Sequence, residues 1–197
     1  VMAIDMHRGH LDPTVATLPL APERCEAVIA RAAELFRELR AIGVPIIHVV
    51  TEYRDAAEIA ANPFWKAIHE DPTKARKGIL RHNLAGGPGT EIIPALWAEG
   101  DFRVGGKKRY NCFYATDLEF LLLRLGVHTL ILAGVNTTTC VLNTAFEATN
   151  RDFRVVVAAE AVDSMDGEEM HRFALHLMSA TVGGVLSNEE IIKALRS

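Results

Sequence analysis

Cysteine is scarce in this 197-residue chain, which holds only Cys25, Cys112 and Cys140. Three is an odd, sparse set, which argues against a disulfide framework and for a reducing compartment, so the cytoplasm is the expected location. Long apolar runs are missing as well. None approaches the roughly 20 residues needed to cross a bilayer, and Val1-Met-Ala-Ile-Asp5 lacks the charged and apolar regions of a signal peptide. Val1 in place of an initiator methionine is expected of a trimmed chain. An excess of one charge is absent too: the formal net charge is −4, with basic and acidic residues interleaved. That leaves no basic footprint, excludes nucleic acid as the main partner, and gives no sign of a membrane surface. Lys107-Lys-Arg109 is too short a run to alter this. No repeat, linker or low-complexity segment interrupts a composition that is 49% hydrophobic, so one domain over residues 1–197 is expected.

What the chain does have is alternation. Short apolar runs alternate with amphipathic helical stretches from end to end, the pattern of parallel βαβ units. Residues 1–4, 44–50, 102–104, 129–133, 153–158 and 181–186 read as strands. Residues 22–42 read as a helix with Val28, Ile29, Ala32, Leu35, Phe36 and Leu39 on one face, stopped by Gly43. Residues 117–125, 141–150, 168–178 and the stretch after Ser187 read as further helices. Thr116 with Glu119, and Ser187 with Glu190, have capping-box spacing. Residues 51–100 are the least regular, with Pro63, Pro72, Pro88 and Pro94 and the turn Gly86-Gly-Pro-Gly89. Their length suggests a functional excursion over the sheet. The expected fold is α/β, a three-layer α/β/α arrangement around a central, mostly parallel sheet.

The apolar run 130–133 leads into Gly134-Val-Asn-Thr-Thr-Thr-Cys140-Val141, which puts a cysteine where a strand turns into a helix. Backbone N–H groups and the positive end of the helix dipole lower a thiol's pKa at such a place. Open α/β sheets bind their ligands outside the carboxyl ends of the strands. Asp5 closes the first strand, Lys107 follows the segment 102–104, and Cys140 follows the turn, so a carboxylate, an ammonium and a thiol share one rim. Hydrolysis of an unactivated C–N bond needs a nucleophile, a group that accepts and returns its proton, and donors for the developing oxyanion. Asp5 can take the thiol proton and hand it to the departing nitrogen, leaving a thioester for water. Lys107 can favour the charged forms of both neighbours. Taken singly, each has a plainer reading: a core cysteine, a turn aspartate, a surface lysine.

The motifs together change those odds. Ile4-Asp5-Met6, Lys107-Lys-Arg-Tyr-Asn-Cys-Phe113, Thr116-Asp-Leu118 and Gly134-Val-x-Thr-x-x-Cys140-Val141 give the chain, over nearly its whole length, a resemblance to the isochorismatase-like cysteine hydrolases. That superfamily includes nicotinamidases, N-carbamoylsarcosine, ureidoacrylate and biuret amidohydrolases, and isochorismatases. The resemblance implies the isochorismatase-type three-layer fold and a triad of Asp5, Lys107 and Cys140. It also implies a non-proline cis peptide at Val135-Asn136, an oxyanion hole from the N–H groups of Asn136 and Cys140, and a homo-oligomer, dimer or tetramer. Lys107 is preferred to Lys108 because it stands three residues before Tyr110.

Departures narrow the chemistry. Nicotinamidases carry an Asp-x-His pair after the second strand and a further His, which hold a metal beside the nucleophile; here Thr51-Glu-Tyr-Arg54 stands in that place. No metal and no cofactor are therefore expected, and nicotinamide is disfavoured. His7, His10, His69 and His82 are read as solvated or hydrogen-bonded. True isochorismatases lack the nucleophilic cysteine, so Cys140 favours amide or ureide cleavage. Arg54 is expected to clamp a substrate carboxylate, and Phe64, Trp65, Tyr110 and Phe113 to wall the pocket. The expected function is that of a metal-free cysteine amidohydrolase acting on a small carboxamide, carbamoyl or ureido compound. The alternatives are a vinyl ether hydrolase using Asp5 as acid, and a non-catalytic small-ligand binding protein of the same fold.

Overall fold

Side-chain alternation along buried strands decides which face of the sheet each residue serves. In the computed structural model, which describes residues 1–71, 73–74, 76 and 78–196, six strands are ordered β3-β2-β1-β4-β5-β6. They are β1 (Met2–Ile4), β2 (Ile47–Thr51), β3 (Phe102–Lys107), β4 (Thr129–Val135), β5 (Arg154–Asp163) and β6 (Gly184–Leu186). Every neighbouring pair is parallel. The helices are α1 (Arg8–Leu11), α2 (Pro22–Ala41), α3 (Ala56–Ala60), α4 (Pro63–Glu70), α5 (Leu118–Arg124), α6 (Leu142–Thr149), α7 (Glu168–Thr181) and α8 (Asn188–Arg196).

Ala3 of β1 and Ile131 and Ala133 of β4 face Val28, Ala32, Leu35, Phe36 and Leu39 of α2 and Ile191 of α8. Their neighbours Met2, Ile4, Leu130 and Leu132 face the other way, onto Leu118 and Leu122 of α5, Ala145 and Ala148 of α6, and Met178 of α7. The result is the three-layer α/β/α arrangement. Full burial of one such side chain, Phe36 for example, contributes roughly 1.5 to 3 kcal/mol.

This topology decides where a site can lie. The chain leaves β1 for α2 on one face and leaves β4 for α6 on the other, so β1 and β4 are adjacent strands whose connections diverge. The crevice outside their carboxyl ends is the switch point at which open α/β sheets take ligands. The two strands approach closely there. Gly134 has φ +119°, and a Cβ on it would lie 2.0 Å from the Ile4 carbonyl oxygen.

Several expectations shift at their edges. β2 begins at Ile47, after Pro45 rather than before it, and β5 runs on to Asp163. α7 continues to Thr181 and β6 keeps only three residues, because the apolar stretch 181–186 has no period that separates a helix end from a strand. Ser187 and Glu190 form the expected capping box, with Ser187 N and Oγ each 2.8 Å from Glu190 Oε2. Thr116 does not: its hydroxyl donates to the Cys112 carbonyl at 2.6 Å, and Glu119 instead pairs with Arg151 at 3.1 Å.

The irregular region holds α3 and α4. Asp55 caps α3 by accepting from Glu58 N at 3.1 Å. Asn62 accepts from Phe64 N and Trp65 N at 3.0 and 3.2 Å, with Pro63 opening α4. Tyr53, Ile59, Trp65 and Ile79 of this region form a small apolar cluster with Leu18. Pro72, within the expected excursion, lies outside the described residues. No helix among the described residues is long and apolar enough to cross a membrane.

Candidate active site

Asp5 follows β1 directly and has φ 53°, a left-handed turn that carries it off the strand. Lys107 is the last residue of β3, and Cys140 lies in a π-helical turn, Thr137–Val141, between β4 and α6. Residues far apart in the chain thus end at one place. The Lys107 ammonium uses its three protons there: it donates to Asp5 Oδ2 at 2.6 Å, to Thr51 Oγ1 at 2.8 Å and to Cys140 Sγ at 3.3 Å. Thr51 gives Asp5 Oδ1 two further bonds, from its N–H at 3.0 Å and its hydroxyl at 2.7 Å. Lys108 points elsewhere, to the Glu52 carbonyl and to Glu58.

Burial and charge then set the protonation states. Burial alone would raise the Asp5 carboxyl, but the Lys107 charge and His7 outweigh it and hold Asp5 well below the usual carboxylate range. Burial alone would lower Lys107, but the Asp5 charge holds it well above its ordinary value. Cys140 goes the other way from the sequence expectation. Burial pushes its thiol up to about 11, the Asp5 charge adds to this, and Lys107 only offsets it in part. At neutral pH the resting site is a thiol beside an ion pair.

The peptide Val135-Asn136 is cis. The Asn136 carbonyl accepts from Thr139 N and Val141 N, both at 3.1 Å, and its side-chain oxygen accepts from Met165 N at 2.9 Å. The elbow is therefore closed by Asn136 on three bonds.

Cys140, 6% exposed, opens into a cleft of about 380 Å³, part of it open to solvent. Trp65 and Tyr110 line it, joined by a bond from Trp65 Nε1 to the Tyr110 hydroxyl at 3.0 Å. Arg54 and Phe113 do not. The Arg54 side chain is 83% exposed and paired with Glu58, its i+4 neighbour in α3. Phe113 is buried in the core beneath α5 and α6 and stacks on Phe153. Phe64 is exposed, because the Asn62 cap turns Trp65 rather than Phe64 inward.

Sequence reasoning passed over two cleft guanidiniums, those of Arg76 and Arg109. Arg76 is neutralised by Asp166 at 2.7 Å. Arg109 lies 4.9 Å over the Trp65 ring and, among the described residues, donates to the backbone carbonyls of Lys108 and Glu58. Among the described residues no carboxylate lies within ion-pair distance of it. The signal was present in Lys107-Lys-Arg109, where the strand end alternates one side chain inward and the next outward.

Of the two expected histidine roles, solvated or hydrogen-bonded, His7, His10 and His82 take the second: all three are buried and hydrogen-bonded, and His10 and His82 line the same cleft. At the position of the missing Asp-x-His pair, Thr51 binds Asp5, Glu52 pairs with Arg103 at 2.8 Å, and Tyr53 is buried.

The isochorismatase domain model matches residues 1–190. The chain belongs to the isochorismatase family. Within this family of hydrolases it is 31% identical to a ureidoacrylate amidohydrolase of Methylobacterium radiotolerans, over 80% of this chain and 63% of that protein. It is 25% identical to the maleamate amidohydrolase of Pseudomonas putida, over 100% of this chain and 86% of that one. An isochorismatase-family protein from Burkholderia thailandensis superposes with TM-score 0.78 at 28% identity, covering 100% of this chain and 94% of that one.

Proposed function

We propose that this isochorismatase-family protein is a cysteine amidohydrolase that cleaves the C–N bond of a small carboxylate-bearing amide or ureide through a thioester. The observation that carries this reading is the Lys107 ammonium bridging Asp5 at 2.6 Å and Cys140 at 3.3 Å in one cleft. Since the resting thiol is neutral and Asp5 strongly ionised, the proton passes from Sγ to Asp5 as Sγ attacks the carbonyl carbon, not before. The Asn136 and Cys140 N–H groups receive the oxyanion. Asp5 then protonates the departing nitrogen, and water, activated by Asp5, hydrolyses the thioester. Lys107 keeps Asp5 placed and tempers the charge that moves between carboxylate and sulfur. No step of this route uses a metal ion.

The charge of the cleft favours an anionic substrate. Lys107 is matched by Asp5 and Arg76 by Asp166, which leaves Arg109 without a carboxylate partner among the described residues. A carboxylate is its natural complement, and ureidoacrylate and maleamate, the substrates in the relatives' names, both carry one. Trp65 and Tyr110 supply the wall against which such a small planar anion would pack. A homo-oligomer belongs to the same reading, checked by sedimentation velocity.

The test is ammonia release from a panel of primary amides, carbamoyl amino acids, ureides and biuret, with Cys140→Ala as control. Turnover that falls by more than about 10³-fold in the variant is the expected result. Activity that survives Cys140→Ala would instead favour ether hydrolysis with Asp5 as acid, and no turnover of any compound would favour a binding role.

A further inference from the structure

Three histidines converge beside the cleft without a part in the chemistry above. His7 and His10 are one turn apart on the segment that leaves β1 and enters α1, and His82 closes a 3-10 turn, Ile79–Arg81, about seventy residues later. All three are buried. Their ring centroids are 5.1 Å apart for His7 and His10, 5.8 Å for His7 and His82, and 4.6 Å for His10 and His82. One ring nitrogen from each lies within 4.8 Å of one from each of the others.

Each ring is also held from behind. His10 Nδ1 lies 2.8 Å from the Leu18 carbonyl, which can only accept, so Nδ1 carries the proton and Nε2 a lone pair. His82 Nδ1 is 2.8 Å from the Thr17 hydroxyl. His7 Nε2 is 3.5 Å from Asp5 Oδ1, and Asn83 Nδ2, itself donating to the Thr51 carbonyl at 2.8 Å, lies against the same ring. This is the outer-shell pattern that orients imidazole ligands of a metal. Three imidazoles gathered this closely are a donor set that a cation can share.

We propose that His7, His10 and His82 form a divalent-cation site, of zinc-like preference, on the wall of the Cys140 cleft. Three imidazoles with no carboxylate among them suit zinc or its first-row neighbours rather than magnesium or calcium, which take oxygen. Three protein ligands leave a fourth position open, and His10 and His82 both line the cleft. A tetrahedral zinc ion with Zn–N of about 2.0 to 2.1 Å sets its nitrogens about 3.3 Å apart, so binding draws the cluster inward by at most about 1.5 Å. The site stands on the cleft's geometry and does not depend on the amide reading.

The full chain, stripped with a chelator and dialysed, is titrated with Zn(II) and with Co(II). One equivalent is expected to bind, with the visible absorption of four-coordinate Co(II), and X-ray absorption of the zinc form should show a nitrogen shell at about 2.0 to 2.1 Å. His10→Asn with His82→Gln should weaken uptake by more than about 100-fold, while Cys140→Ala retains it. No uptake, uptake unchanged in the histidine variant, or a sulfur shell at about 2.3 Å would overturn the proposal. Should the double variant fail to fold, the absorption spectrum of the native chain decides alone. Amide turnover by the stripped protein is scored separately, so that either reading can fail without the other.

Discussion

A buried thiol, a carboxylate and an ammonium within hydrogen-bond reach of one another have protonation states that none would hold alone. Cys140 is a thiol at rest because burial dominates the Lys107 charge. The consequence is measurable with iodoacetamide and mass-spectrometric location of the label. The thiolate is absent well below its pKa and grows as pH rises, so the rate at Cys140 should still be climbing at pH 9 and reach its midpoint near 11, not near the ordinary value of about 8.5. A plateau below pH 8 would contradict the burial argument. Arg109 makes the second prediction at this scale. Arg109→Gln keeps much of the packing on Trp65 but removes the charge. KM for carboxylate-bearing amides should rise about 10- to 100-fold, the worth of a charged hydrogen bond, with kcat little changed and neutral amides unaffected. An equal loss on neutral amides would make Arg109 a structural residue.

Elements bring these residues together only if strands meet at the right separation and end at the right level. Gly134 is where β4 passes β1 most closely, with the Ile4 carbonyl in the space a side chain would need. Gly134→Ala should therefore force β1 and β4 apart and destabilise the fold by more than about 3 kcal/mol, read as a lower urea midpoint with loss of the Cys140 environment. A midpoint within 0.5 kcal/mol of the parent, on the order of an ordinary surface change, would show that the strands can part without cost. At the same scale the apolar pattern separated helices from strands well where runs were long, as in α2, and poorly where they were short. The stretch 181–186 and the start of β2 misplaced their boundaries because three or four apolar residues carry no period. Capping spacing gave one true box, at Ser187 and Glu190, and one false one, at Thr116. Spacing alone does not say where the hydroxyl points.

Across the molecule, the layers are tied by charge as well as by apolar packing. Asp101, just before β3, accepts from Arg40 of α2 at 2.9 and 2.6 Å, from Ala98 N at 3.0 Å, and lies 3.1 Å from His48 Nε2 of β2. Its carboxylate is buried, so Asp101→Ala leaves a guanidinium and an imidazole without their acceptor. A loss of about 2 to 4 kcal/mol by urea unfolding is expected, with the Cys140 cleft unchanged. What the sequence determined by itself is the alternation of elements, and with it the fold class, together with the candidates Asp5, Lys107, Tyr110 and Cys140, which stand at or beside strand ends or in motifs whose spacing carries their meaning. What only the tertiary structure decided is which of the remaining polar and aromatic residues face the cleft. Arg54 and Arg109 look alike in the chain, yet one is a solvated partner of Glu58 and the other a cleft cation. His7, His10 and His82 became one cluster only when the 3-10 turn at Ile79–Arg81 brought His82 beside His7 and His10 at α1. Local spacing fixes periodicity, whereas the direction of a side chain in a long irregular excursion depends on contacts made across the whole chain, and those have no local signature.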